Sequence, residues 1–324
     1  MLSRVADAIY WMSRYLERAG NIARFLDVNW HLTLDTPGAT FEQWLPLVRA
    51  MGDHEVFRDR QCPANREGVI RFLAFDQDYG NSIVTCLSRA RDNARTIRDM
   101  IPTEMWEQIN TFYHLVREAA HNGTTVLNNP YQFCDEIKRR DLTISGIAGD
   151  AMSHDEAWDF FRLGRLLERA DKTSRILDVK YFILLPDLAD VGSNLDYVQW
   201  AALLKAISAL EAYRHRHGRI QPDRIVEFLL LDHDFPRSAL CCLSAAQRCL
   251  HAITGTAIGY YCNPAEKRLG QLCGELAYSG VEEIFAMGLH EFTDKLQTRM
   301  NQVDEAVYAT FFDTFPAIDA AAQQ

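Results

Sequence analysis

Residues 15–28 read YLERAGNIARFLDV, and residues 166–179 read LLERADKTSRILDV. Laying 8–28 over 159–179 keeps Arg14/Arg165, Leu16/Leu167, Glu17/Glu168, Arg18/Arg169, Ala19/Ala170 and Arg24/Arg175 identical, and then Leu26/Leu177, Asp27/Asp178 and Val28/Val179. At 100° per residue, Met12, Tyr15, Leu16, Ala19, Ala23 and Leu26 fall on one arc, which predicts a helix. Arg14, Glu17, Arg18, Asn21 and Arg24 fall on the opposite arc. Glu17 has Arg14 at i−3 and Asn21 at i+4, so pairing within the helix is available. That polar arc also holds Tyr10, Phe25 and Val28 in the first copy and Phe161, Ile176 and Val179 in the second. A solvated face does not hold large apolar groups, and its polar residues have no reason to match between copies. Both faces of this helix are therefore expected to be covered, with the Arg/Glu cluster at least partly interior.

Two further blocks recur in the same order with an offset of 156. FEQWLPLVRAM (41–51) lies over YVQWAALLKAI (197–207), and VIRFLAFDQDYGNSIVTCLSRA (69–90) lies over IVEFLLLDHDFPRSALCCLSAA (225–246). Three ordered blocks point to an internal duplication, with a first helical repeat in 1–150 and a second in 151–324. The change of offset from 151 to 156 places a five-residue insertion after residue 179. Helical period continues through IVTCLSRARDNARTIRDMI (83–101), which Pro102 should end, with Thr103 capping the next helix. Ser153-His-Asp-Glu156 reads as a capping box, and Gln221-Pro222 puts proline at a helix's first position. No stretch alternates as a strand would. The expected fold is all-α, a helical bundle of two homologous repeats packed as one body, with ten to fourteen helices. The longer connections fall near 52–66 and 185–195, the break between halves near 141–157, and the AIDAAAQQ tail should fray.

Composition is that of a globular chain of 324 residues, 48% hydrophobic and 24% charged. The net charge of −10 argues against a nucleic-acid or anionic-membrane partner, both of which reward a basic face. The first twenty residues hold no uninterrupted apolar run, so neither a signal peptide nor a membrane span is expected there. Eight cysteines without a CxxC pair fit a reducing cytoplasm and not a disulfide framework.

The candidate site is the repeated cluster: Arg14, Glu17, Arg18 and Arg24, with Arg165, Glu168, Arg169 and Arg175. Interior charges cost several kcal/mol per ion unless paired. The cluster is therefore either a clasp between helices or, since three arginines face one glutamate in each copy, a site for a carboxylate or phosphate. Arg91, Asp92, Arg95, Arg98 and Asp99 read as a salt-bridged helix face. Asp76/Asp78 and Asp232/Asp234 precede helices and read as caps. His154 belongs to the capping box, and His215-x-His217 to a basic helix end. No metal-ligand pattern, phosphate loop or nucleophile elbow is present, so no catalytic residue, metal or cofactor is assigned.

At YLERAGNIARFLDV and RLLERADKTSRILDV the chain resembles the alpha-E family, an all-helical domain named for its Glu-Arg motif. The resemblance extends over NARTIRDMIPTEMWEQIN, AMSHDEAWDFFRLGRLLERAD and GRIQPDRIVEFLLLDHDFPRS, almost the whole chain. It implies a setting: members are encoded beside, or fused to, circularly permuted ATP-grasp proteins, often with transglutaminase-like proteins. It supplies no catalytic residue, and only Glu17-Arg18 and Glu168-Arg169 carry over. Three expectations follow: an accessory partner of an amide- or peptide-forming ligase, an amide-forming or acyl-transfer enzyme using Glu17 or Glu168 as base, or a helical scaffold. Oligomeric state is not legible.

Overall fold

The computed structural model describes residues 1–35, 44–182 and 193–313. Among them lie sixteen α-helices and no strand. The first eight are α1 (Ser3–Asp35), α2 (Leu45–Ala50), α3 (His54–Asp59), α4 (Arg66–Ile70), α5 (Ile83–Thr96), α6 (Thr103–His121), α7 (Gly123–Asn128) and α8 (Pro130–Ala151). The second eight are α9 (Glu156–Phe182), α10 (Asn194–Ala206), α11 (Leu210–His217), α12 (Pro222–Leu230), α13 (Ala239–Thr254), α14 (Pro264–Ala277), α15 (Val281–Met287) and α16 (Leu289–Val307). Two π-helical turns, Arg71–Phe75 and Tyr308–Phe312, follow α4 and α16.

The two sets run in the same order. Helices α3, α4 and α5 begin at 54, 66 and 83, and α11, α12 and α13 begin 156 residues later at 210, 222 and 239. We take this ordering as support for the duplication, which superposition of the halves would test. The long helices α1 and α9 lie at the centre and pack on each other. Helix α1 is flanked by α5 and α8, and α9 by α13 and α16. Each half also sends a helix across: α2 packs on α9, and α10 on α1.

Helix α1 is covered all round, as its composition requires. Met12, Leu16, Ala19, Ala23 and Leu26 are buried on one arc, and Tyr10, Phe25 and Val28 on the other. The axes of α1 and α9 come close because Gly164 has no side chain. A Cβ there would stand 2.6 Å from the Tyr10 carbonyl oxygen and 2.3 Å from Ser13 Oγ. In the alignment of the copies, Gly164 is the counterpart of Ser13.

Several local expectations need correction. Sixteen helices exceed the ten to fourteen expected, because segments read as connections hold helices of five to eight residues; α3 lies inside 52–66. Helix α5 stops at Thr96, before Pro102, and Pro102 itself stands at the cap position of α6. The cap of α9 is Asp155 and not Ser153: its Oδ1 accepts from the backbone N–H of Ala157 at 2.9 Å. A carboxylate two residues before that N–H reaches it more directly than a serine four residues away. Pro222 does open α12. Helix α8 runs to Ala151, and the short turn to α9 at 152–155 falls inside the stretch where the break was expected. Most of 185–195 and the tail lie outside the described residues.

Candidate functional site

Each glutamate of the repeated motif is held by the arginines of the other copy. Arg14 Nε donates to Glu168 Oε2 at 3.0 Å, while Arg18 forks onto both oxygens, Nε to Oε1 at 2.7 Å and Nη2 to Oε2 at 2.8 Å. In return, Arg165 Nη2 donates to Glu17 Oε2 at 2.6 Å, and Arg169 forks onto Glu17 with Nε at 2.9 Å and Nη2 at 3.0 Å. Both glutamates are 0% exposed. Of the intrahelical partners that spacing offered, only Asn21 engages Glu17, at 3.2 Å. Arg14 turns away to Glu168. The wheel permits the pairing within α1, but the close crossing at Gly164 brings the other helix's carboxylate into better reach of the arginine fork.

A third cation completes each centre, and it comes from a different place in the two halves. At Glu168 it is Lys172, whose Nζ lies 3.6 Å from Oε1. Its counterpart in α1 is the neutral Asn21. At Glu17 the third cation is Arg237, at 3.4 Å from Oε1. Its counterpart, 156 residues earlier, is Asn81, which accepts from Arg18 at 2.7 Å. A cation and an amide have thus exchanged positions, and each glutamate still sees three cations. Neither Lys172 nor Arg237 stood among the sequence candidates. The Asn21/Lys172 and Asn81/Arg237 pairs are visible in the alignment, but only contact shows that they compensate.

Second carboxylates join both centres. Arg165 Nη2 reaches Asp141 at 2.8 Å, and Arg14 and the Tyr10 hydroxyl both donate to Asp304. Sequence reasoning passed over both aspartates, since they lie on α8 and α16, outside the matched blocks. Arg175 binds Asp171 through Nε at 2.9 Å and donates to the carbonyl of Met51 at 3.2 Å. Its counterpart Arg24 faces Gly20 where Asp171 would be. Arg24 donates to Ser208 Oγ at 3.1 Å and lies 4.0 Å from Asp141.

Burial raises the Glu17 carboxyl, but Arg169, Arg165 and Arg237 outweigh it and hold its pKa well below the usual range. Burial opposes in the same way at Glu168, where Arg18, Lys172 and Arg14 prevail and the pKa again falls far below normal. Arg237 goes the other way. Burial, together with Arg169 and Arg24 beside it, lowers its pKa to about 9.

The two centres differ in balance. Around Glu17 stand Arg24, Arg165, Arg169 and Arg237 against Glu17 and Asp141, and the expected surplus of positive charge persists. Arg24 Nε and Nη2, Arg165 Nε and Nη1, and Asp141 Oδ2 are buried without a hydrogen-bond partner among the described residues. Around Glu168 the surplus vanishes, because Asp171, Asp304 and Asp53 add carboxylates to Glu168 against Arg14, Arg18, Lys172 and Arg175. This second centre opens onto a polar cavity of about 280 Å3, also lined by Asn81, Asn301, Met51 and Met300.

The remaining candidates are structural. Asp76 and Asp232 do not cap helices. Their Oδ1 atoms accept from the N–H groups of Asp78 and Asp234, each at 2.9 Å. The caps are Ser82 and Ser238, which accept from Thr85 and Cys241. Arg60 bridges Asp76 and Asp78, and Arg216 bridges Asp232 and Asp234. Arg95 pairs with Asp92 at the surface, and Arg91 lies over Tyr113 at 5.0 Å. His154 stacks on Trp158 at 4.5 Å. All eight cysteines are free. Among the described residues no group of His, Cys, Asp and Glu is arranged to hold a metal, and no helix is long and apolar enough to cross a membrane.

An all-helical body centred on two Glu-Arg helices defines a class, and comparison with known proteins agrees. The chain belongs to the Alpha-E family, a predicted alpha-helical domain with a conserved ER motif, whose family model matches residues 1–312. Uncharacterised proteins of Mycobacterium bovis and of two strains of Mycobacterium tuberculosis are 21% identical to it over 334 aligned positions. Each alignment covers 98% of this chain and 36% of the relative, so the chain spans about a third of the length of the curated relatives it matches. No solved structure matches.

Proposed function

We propose that this chain is a non-catalytic, cytoplasmic partner of an ATP-grasp amide or peptide ligase. In this reading the Glu-Arg pairs clasp α1 to α9, and the cavity beside Glu168 takes a carboxylate-bearing ligand. The observation that carries it is the state of the two glutamates. A general base needs a pKa near the working pH and reach to a substrate proton. Glu17 and Glu168 are wholly buried, and three cations apiece hold their pKa values low. That weighs against an enzyme using either glutamate as base. The length of the relatives supports a module that works alongside other sequence. The ATP-grasp protein as partner, and a transglutaminase-like protein as a third member, rest on the family resemblance. The eight free cysteines suit a reducing compartment.

The test is co-expression with an ATP-grasp protein encoded beside this chain, followed by ATP hydrolysis assays with amino acids, with and without this chain. Co-purification and turnover that needs both proteins is the expected result. A ligase that works alone and forms no complex overturns the reading. The near-complete pairing at the Glu168 centre favours the scaffold as second reading, and that reading predicts neither complex-dependent turnover nor ligand binding.

A further inference from the structure

We infer that the cavity beside Glu168 is a binding site for a small zwitterion, a molecule carrying one ammonium and one carboxylate, such as a free amino acid or a short peptide. The inference rests on the part of the proposed function that gives this cavity a ligand, and it names the ligand's chemistry.

Charge balance decides the class. Arg14, Arg18, Lys172 and Arg175 on the walls are matched in number by Asp53, Asp171 and Asp304 with Glu168 behind them. A lone anion or cation would add an unbalanced charge to a partly enclosed space, where water screens it less than at the surface. A neutral ligand with both charges adds none and meets both kinds of wall. The walls also retain capacity. The Lys172 ammonium has three donors and hydrogen-bonds Asp171 at 2.8 Å. Asp53 accepts from the Tyr79 hydroxyl and, among the described residues, has no cation within ion-pair distance. The ligand's carboxylate therefore belongs near Lys172 and Arg18, and its ammonium near Asp53. Few apolar groups line the cavity, so its selectivity comes from charge and not from an apolar side-chain pocket.

The other half shows how the site is closed. Where this half has Asn81, the other has Arg237, which reaches Glu17 and Asn21 at 3.4 Å each. The short amide leaves open the room that a guanidinium takes up in the other centre. Asn81→Arg thus copies an arrangement the protein already folds with.

The experiment is calorimetric titration of the isolated full chain with glycine and with glycylglycine, using acetate, methylamine and inorganic phosphate as single-charge probes. At least one zwitterion should bind, with acetate and methylamine each at least tenfold weaker. Stronger binding of glycine marks a free amino acid, and of glycylglycine a peptide. Asn81→Arg should weaken zwitterion binding more than tenfold while leaving the melting temperature near wild type. Should that variant misfold, Asp53→Asn gives the independent check: tenfold weaker zwitterion binding with acetate unchanged. Absence of binding by both zwitterions, or equal binding of acetate or phosphate, overturns the inference. So does zwitterion binding unchanged in Asp53→Asn. Because the chain is titrated alone, such a failure leaves a ligase complex standing. A zwitterion bound without any ligase complex sinks the partner reading only.

Discussion

Replacing Glu17 by glutamine keeps its shape but leaves Arg165, Arg169 and Arg237 buried around a neutral amide. Breaking a buried pair in this way costs roughly 3–5 kcal/mol, so Glu17→Gln should lose that much in urea unfolding, with Glu168→Gln similar. Arg237 behaves differently. Its pKa is lowered to about 9 by burial and by Arg169 and Arg24, which marks it as the cation its centre holds least well. Arg237→Asn, which copies Asn81, should be neutral or stabilising in the same assay, where Arg169→Asn is damaging. At this scale, the interior placement of the motif was legible from Tyr10, Phe25 and Val28 lying among the charges. The exchange of partners was not. Arg14 at i−3 from Glu17 is an acceptable local pair on a wheel, and only the crossing of α1 and α9 makes Glu168 the better acceptor. Asp141 and Asp304 were illegible for a related reason, since they come from helices outside the matched blocks.

Among elements, the crossing itself depends on Gly164. An alanine there would press on the Tyr10 carbonyl, which cannot yield as a flexible side chain can. Overpacking of this kind costs typically about 1–3 kcal/mol, and Gly164→Ala should lower the unfolding midpoint accordingly. The caps offer a paired test. Ser82 and Ser238 each accept a helix N–H and each donate a hydrogen bond backward, to the carbonyls of Asp76 and Asp232. Ser82→Ala and Ser238→Ala should each cost roughly 0.5–2 kcal/mol, and by similar amounts. The two acidic turns were visible as repeated spots, but assigning them as caps mistook the turn for the cap. An aspartate six residues upstream folds the loop, and the serine closes the helix. The long helices were readable from period alone. The short ones, such as α3 and α7, were not, because five or six residues are too few for period to show.

Across the whole molecule, acid should reveal the clasp. Glu17, Glu168 and Asp171 all have folded pKa values depressed by neighbouring cations, against burial that alone would raise them. A depressed carboxylate contributes stability that is complete above its unfolded value, near 4.5 for glutamate, and is lost as pH falls toward the folded one. The urea midpoint should therefore hold down to roughly pH 5 and drop below it. The difference between wild type and Glu17→Gln should narrow over the same range. A profile in which that difference stays constant down to pH 3 would rule out the carboxylate as its source. The reciprocity of the clasp has one more consequence. A polypeptide ending after α8 would carry Arg14, Arg18 and Glu17 without the oppositely charged partners that hold them. Two such polypeptides, related by a twofold axis, would bring the arginines of each onto the glutamate of the other. The lock that now joins two stretches of one chain is the lock that a symmetric dimer of half-length chains would use.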